Sequence, residues 1–217
     1  MTLSGPRREA QSGEALSLVI FLHGYGADGN DLIGIGDALA EHLPNTMFLA
    51  PDAPERSKLN PMGRQWFPIP RMDGSSEAEM AAGFAAAVTT LNLWLDEVAA
   101  ETGIPAAQTA LVGFSQGTMM SLHVGPRRAD PLAAIVGFSG RLLFPELLDA
   151  EAVTRPPILL VHGDMDDMVP PASMEDARIA LSEAGFQVAT HMSAGIGHGI
   201  APDGLGLALQ LLKSKLS

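Results

Sequence analysis

Short apolar runs alternate with longer helix-like stretches along the whole chain, and this alternation constrains the fold more than any other feature. The runs Leu16–Leu22, Thr46–Ala50, Thr109–Phe114, Ala133–Phe138, Ile158–Val161 and Gln187–Met192 read as strands. Several are nearly continuous in apolar residues, as a parallel strand covered on both faces has to be. Helices are expected near Asp31–His42, Ser76–Thr102, Ser115–Arg127, Pro171–Ala184 and Pro202–Lys213. Ser76 and Glu79 have the spacing of a capping box, while Gly103 with Pro105, and then Gly185, are stop signals. The pattern predicts an α/β fold, a doubly wound and mostly parallel sheet with helices on both faces. No repeat and no linker interrupts it, so residues 1–217 are expected to form one domain.

Composition removes several functional classes. Thirteen basic residues against 25 acidic ones give a net charge of −12, and no basic patch for nucleic acid stands out. Arg7-Arg8 and Arg127-Arg128 are isolated pairs and read as solvated. With no cysteine, a disulfide framework, a thiolate zinc site and a cysteine nucleophile are all excluded. Met1 to Gln11 is polar without an apolar signal core, and Thr89, Thr90 and Asn92 interrupt the longest apolar stretch, Ala81–Leu95. A soluble, cytoplasmic protein without integral membrane association is expected.

One irregular stretch, 51–75, combines many prolines with Gly63, Gly74, Trp66 and Phe67. A loop this long without structure of its own is usually functional or disordered, and the aromatic pair argues against disorder. It reads either as a loop packed on the core or as a flap over a substrate pocket. In the second case Met62, Trp66, Phe67 and Met72 form an apolar wall. Met119 or Met120 would line another wall or simply pack in the core.

Gly113-Phe-Ser-Gln-Gly117 fits the G-x-S-x-G nucleophile elbow and has the context that motif needs, an apolar strand before it and a helix-like run after it. A sharp strand-to-helix turn exposes the Ser115 hydroxyl, and the helix start aims free amides at a developing oxyanion. A serine nucleophile needs a base, and the base needs an orienting carboxylate. In α/β hydrolases these follow in the order serine, acid, histidine, and only His191 and His198 come late enough. His198, framed by Gly195, Gly197 and Gly199 just before the last helix, is the better base. For the acid, the stretch after Ile158–Val161 offers Asp164, Asp166 and Asp167, and spacing does not choose among them. The same His and Asp residues lack a further dense ligand group, so no metal site is expected.

The chain resembles the phospholipase/carboxylesterase family, which includes the acyl-protein thioesterases. The resemblance rests on Phe21-Leu-His-Gly-Tyr-Gly-Ala-Asp-Gly29, Arg64-Gln-Trp-Phe67, Gly113 to Gly117, His162 to Pro170, and Gly197-His-Gly-Ile200, in the expected order over nearly the whole chain. It implies an α/β-hydrolase fold and places the acid at Asp166, with Asp167 standing where the family often has proline. It also implies an oxyanion hole from the backbone amides of Tyr25 and Gln116. The resemblance implies a carboxylesterase, permits thioesters and lysophospholipids as substrates and allows a homodimer; the apolar wall suggests small, uncharged esters of short to medium acyl chains, and the triad mechanism needs no cofactor or metal.

Two other readings compete. Gly24-Tyr-Gly-Ala-Asp-Gly29 also matches the dinucleotide fingerprint G-x-G-x-x-G, with Asp52 after the next strand as its acidic partner. It leaves the elbow and the His198 loop unexplained. A non-catalytic ligand receptor of the same fold is the other alternative, although such proteins usually lose a triad member.

Overall fold

The computed structural model describes residues 3–216; Met1 and Thr2 of the polar opening stretch, and Ser217, lie outside the described residues. Its strands are β1 (Arg7–Arg8), β2 (Ser17–Leu22), β3 (Thr46–Leu49), β4 (Glu55–Arg56), β5 (Arg64–Gln65), β6 (Thr109–Phe114), β7 (Ala134–Phe138), β8 (Ile158–Gly163) and β9 (Val188–Ser193). The helices are α1 (Asn30–Ala40), α2 (Pro70–Asp73), α3 (Glu77–Thr102), α4 (Gln116–Arg127), α5 (Leu148–Glu151), α6 (Ala172–Glu183) and α7 (Pro202–Leu216).

Seven strands form one sheet in the order β1-β3-β2-β6-β7-β8-β9, parallel throughout except for β1, which runs antiparallel to β3. The chain steps outward from β2 to β3, then crosses back through α3 to place β6 on the other flank of β2. At that reversal the loops after β2 and β6 diverge, and the crevice between them at the C-terminal sheet edge is where such folds bind ligands.

Side chains alternate across the strands and so serve two cores. Leu18, Ile20 and Leu22 of β2 join Leu111, Ile135 and Leu160 under α3, α4 and α6. Val19 and Phe21 face the other way and join Phe48, Val112, Val136 and Phe138 under α1 and α7. Phe21 and Phe48 stack with ring centroids 6.1 Å apart. Truncating such a buried ring to alanine costs roughly 3–5 kcal/mol. The long helix α3 starts at the expected capping box: Ser76 Oγ accepts from the Glu79 amide at 3.2 Å, and the Glu79 carboxylate accepts from the Ser76 amide at 2.7 Å. It stops at Gly103, which adopts φ 70°.

Two expectations need correction. Arg7 and Arg8 are exposed, as expected, but Arg127 and Arg128 are largely covered, and all four pair with carboxylates or the sheet edge. Arg7 and Arg8 form the edge strand β1, with Arg8 on Asp37 at 2.8 Å; Arg127 binds Glu151 at 2.7 Å and Arg128 binds Asp96 at 2.6 Å. The stretch 51–75 is not structureless, because β4 and β5 pair as an antiparallel hairpin and α2 follows. No helix among the described residues is long and apolar enough to cross a membrane.

Candidate active site

Ser115 sits between β6 and α4 with φ 52° and ψ −113°, a conformation that costs a non-glycine residue about 1–3 kcal/mol and persists only where its surroundings enforce it. The Ser115 amide donates to Phe138 O at 2.8 Å. The Thr118 hydroxyl faces both Gly113 O and Phe138 O at 2.8 Å, tying the turn to the neighbouring strand. A β-carbon on Gly117 would run into the Leu22 carbonyl oxygen, and one on Gly113 into the backbone of α4, so both frame positions of the motif need glycine. The Gln116 side chain is buried; its Oε1 accepts from the Trp66 amide at 2.8 Å and its Nε2 donates to Phe67 O at 2.7 Å. The elbow and the 64–67 segment are thus locked together.

The loop after β8 supplies a buried carboxylate. Asp166 Oδ1 accepts from the amides of Met168 and Val169, each at 2.9 Å, and Oδ2 lies 2.8 Å from His198 Nδ1. His162 Nε2 lies 3.2 Å from the same Oδ2 and 2.9 Å from Val169 O. Burial pushes the Asp166 carboxyl up, but the hydrogen bonds from His198 and the two amides outweigh it and hold the group below its ordinary value. It is therefore ionised at neutral pH, and His198 Nδ1–H donates to it. That leaves His198 Nε2 as the nitrogen free to take a proton. The alternatives left open by spacing have other roles or none: Asp164 Oδ1 accepts from the Gly195 amide at 2.7 Å and braces the His198 loop, while Asp167 is exposed. Ser139, at the end of β7, steadies the same loop through Gly199 O at 3.4 Å.

Ser115 and His198 line one cavity of about 170 Å³ at the sheet edge, beside Gly24 and Tyr25 from the loop after β2. In that loop the Gly26 amide donates to Arg64 O and the Ala27 amide to Gly24 O, leaving the Tyr25 amide without an internal partner among the described residues. Gln116 is the first residue of α4, so its amide has no carbonyl within the helix to bind. Phe67, Met72 and Met119 line the cavity as apolar walls. Trp66 and Met62 do not. Trp66 is 0% exposed, because its indole N–H needs an acceptor and takes His23 O at 3.0 Å. Met62, at the hairpin, is 84% exposed. Met120 is core. The cavity is also lined by Phe114 and Val169, neighbours of the elbow and of Asp166, and by Arg71 and Arg141, which spacing does not single out because they are far apart in the chain. Phe114 packs on the His198 ring at 4.9 Å between centroids.

The glycine-rich loop after β2 lines the Ser115 cavity, and the partners of its fingerprint lie within the chain. Asp52 Oδ1 accepts from the Gly29 amide at 2.9 Å, so the acidic residue of the fingerprint is engaged at the start of α1. His23 is buried, with Nδ1 on Gly24 O at 2.8 Å and Nε2 accepting from the Ala53 amide at 3.0 Å. Both bonds require the neutral Nδ1–H tautomer, and burial lowers the pKa of His23 accordingly. No group of three or more potential metal ligands gathers among the described residues.

Residues 5–216 match the family model of phospholipase/carboxylesterase. The chain belongs to that family. As a phospholipase/carboxylesterase member it is a hydrolase of carboxylic esters with the α/β-hydrolase fold. It is similar to esterase YpfH of Escherichia coli K12, 29% identical over 92% of this chain and 83% of that protein. It is also 30% identical to acyl-protein thioesterase 1 of Neurospora crassa, over 91% of this chain and 86% of the relative. Among solved structures, esterase PE8 is 45% identical over the full length of both chains, with a TM-score of 0.94.

Proposed function

We propose that this protein is a serine carboxylesterase in which Ser115 is the nucleophile, His198 the general base and Asp166 the orienting acid. The observation that carries this reading is the 2.8 Å contact between His198 Nδ1 and the buried Asp166 carboxylate, with His198 opening into the same cavity as a strained Ser115. Ser115 Oγ attacks the ester carbonyl as His198 Nε2 accepts its proton; the imidazolium that forms is stabilised by Asp166 and returns the proton to the leaving alcohol. Water, deprotonated by the same His198, then hydrolyses the acyl-enzyme. The amides of Tyr25 and Gln116 receive the oxyanion, a contribution worth about 10²–10³ in rate per donor.

Cavity size supports short to medium acyl chains. About 170 Å³ is below the roughly 300–1,000 Å³ of sites that engulf a drug-sized ligand, and Phe67, Met72 and Met119 suit an alkyl group. Labelling by a fluorophosphonate probe tests the reading: the wild-type protein should react at Ser115 and Ser115→Ala should not. A protein that resists the probe, or a variant that still turns over p-nitrophenyl butyrate, would reject it.

A further inference from the structure

Two arginines face the cavity that holds Ser115 and His198: Arg71 from α2 and Arg141 from the loop after β7. In a chain of net charge −12 this cavity is lined by two guanidinium groups and by no carboxylate. Neither arginine has an ion pair or a side-chain hydrogen bond among the described residues, whereas Arg7, Arg8, Arg127, Arg128 and Arg178 all bind a carboxylate. The nearest acid on the same helix, Asp73, is already engaged by the Tyr25 hydroxyl and by the amides of Ile69 and Ser75.

We propose that Arg71 and Arg141 form an anion subsite, and that the esterase accepts, beside uncharged esters, monoesters of dicarboxylic acids whose free carboxylate binds these two guanidinium groups. The planar guanidinium matches a carboxylate in paired, charge-assisted hydrogen bonds. Phe67, Met72 and Met119 supply an apolar path for the methylene chain between that carboxylate and the ester carbonyl at Ser115. Partial burial, and then the charge of Arg71, lower the pKa of Arg141, and a bound carboxylate would favour the charged form of both guanidinium groups. The reaction is balanced by water alone: monoester anion and water give the dicarboxylate dianion, the alcohol and one proton.

The inference rests on the serine esterase reading, and the test separates the two. Ethyl hexanoate and monoethyl adipate are compared as substrates of the wild-type protein, Arg71→Gln, Arg141→Gln and the double variant, with alcohol release as the readout and thermal melting as the check on folding. Ethyl hexanoate turnover reads the esterase activity by itself. The ratio of kcat/KM for monoester over neutral ester should fall about tenfold with each single substitution, mainly through KM. Arg71→Lys should recover part of the loss, and raising the salt concentration should lower the wild-type ratio. The subsite is overturned if the neutral ester is cleaved while the monoester is not, or if the substitutions leave the ratio unchanged. Failure to cleave either ester overturns the esterase reading, and the subsite with it.

Discussion

Two places in this molecule pair a histidine with an aspartate close to a serine. In the first, His198 Nδ1 meets Asp166 Oδ2 at 2.8 Å and opens into the cavity of Ser115. In the second, His191 Nε2 meets Asp203 Oδ2 at 2.7 Å, and Ser193 Oγ donates to Asp203 Oδ1 at 3.0 Å. Residue types and distances are nearly the same, yet the connectivity differs. Ser193 is bonded to the carboxylate, whereas Ser115 shares a cavity with the imidazole, and Ser193 lies within β9 instead of at a strained turn before a helix. Asp166 has a fully buried side chain held by two amides, whereas the Asp203 side chain is half exposed. Asp203 also sits below its ordinary carboxyl value, chiefly through its bond with His191, so a lowered pKa does not by itself single out the proposed acid. What separates the clusters is the cavity, the free amides and the strained serine. The second cluster ties β9 to the start of α7 and so braces both ends of the loop that carries His198.

The largest test of that contrast is removal of each hydroxyl. Ser115→Ala should lower kcat for p-nitrophenyl butyrate by about 10⁶, the scale on which serine hydrolases lose their nucleophile. Ser193→Ala should leave kcat/KM within about twofold, the range of a substitution remote from the chemistry. Equal losses would mean that the wrong serine has been assigned.

The carboxylates come next. Asp166→Asn keeps the shape but no longer enforces the Nδ1–H tautomer, and kcat should fall by about 10⁴. Asp203→Asn should lower the melting temperature slightly through a weakened hydrogen bond to His191, with a small change in turnover. Asp164→Asn should behave like Asp203→Asn, since it braces the same loop through Gly195, and Asp167→Asn should be nearly silent. If Asp166→Asn is the mildest of the four, His198 answers to a different acid.

The elements that carry this contrast were legible to different degrees. Strand β6 and its helix α4 were readable because a continuous apolar run meets a glycine-framed serine, and the capping box and Gly103 bracket α3 for equally local reasons. Locally encoded signals of this kind survive folding. Strand β1 was not readable, since two arginines on an edge carry no apolar period, and the hairpin of β4 and β5 has only two residues per strand. Trp66 was misplaced because its amphipathic ring fits either a pocket wall or a core, and only the third dimension shows His23 O waiting for its N–H. The choice among Asp164, Asp166 and Asp167 needed the family resemblance, as all three lie within one turn. Arg71 in α2 and Arg141 in the loop after β7 are 70 positions apart, and no spacing rule brings them together.

A third histidine sharpens the comparison because no carboxylate hydrogen-bonds to it among the described residues. His123 lies inside α4 with its ring edge-on to Phe84 at 4.7 Å between centroids, and its Nδ1 is buried without a partner among the described residues. Burial first, and then the positive charge of Arg127, lower its pKa to about 4, while Glu151 pulls weakly the other way. The unfolded chain therefore binds a proton here near pH 6.5, and the folded one does so only near pH 4. The sign follows: stability from this group is complete above pH 6.5 and is lost as the pH falls toward 4. The urea midpoint of the wild-type protein should drop between pH 7 and pH 5, and His123→Leu should drop by less over the same interval. Because every other titrating group is common to both proteins, the difference between the two drops isolates His123. A variant as acid-sensitive as the wild-type protein would mean that the His123 ring takes its proton while folded, as an imidazole with a carboxylate partner can and one enclosed by Phe84 and Phe144 should not.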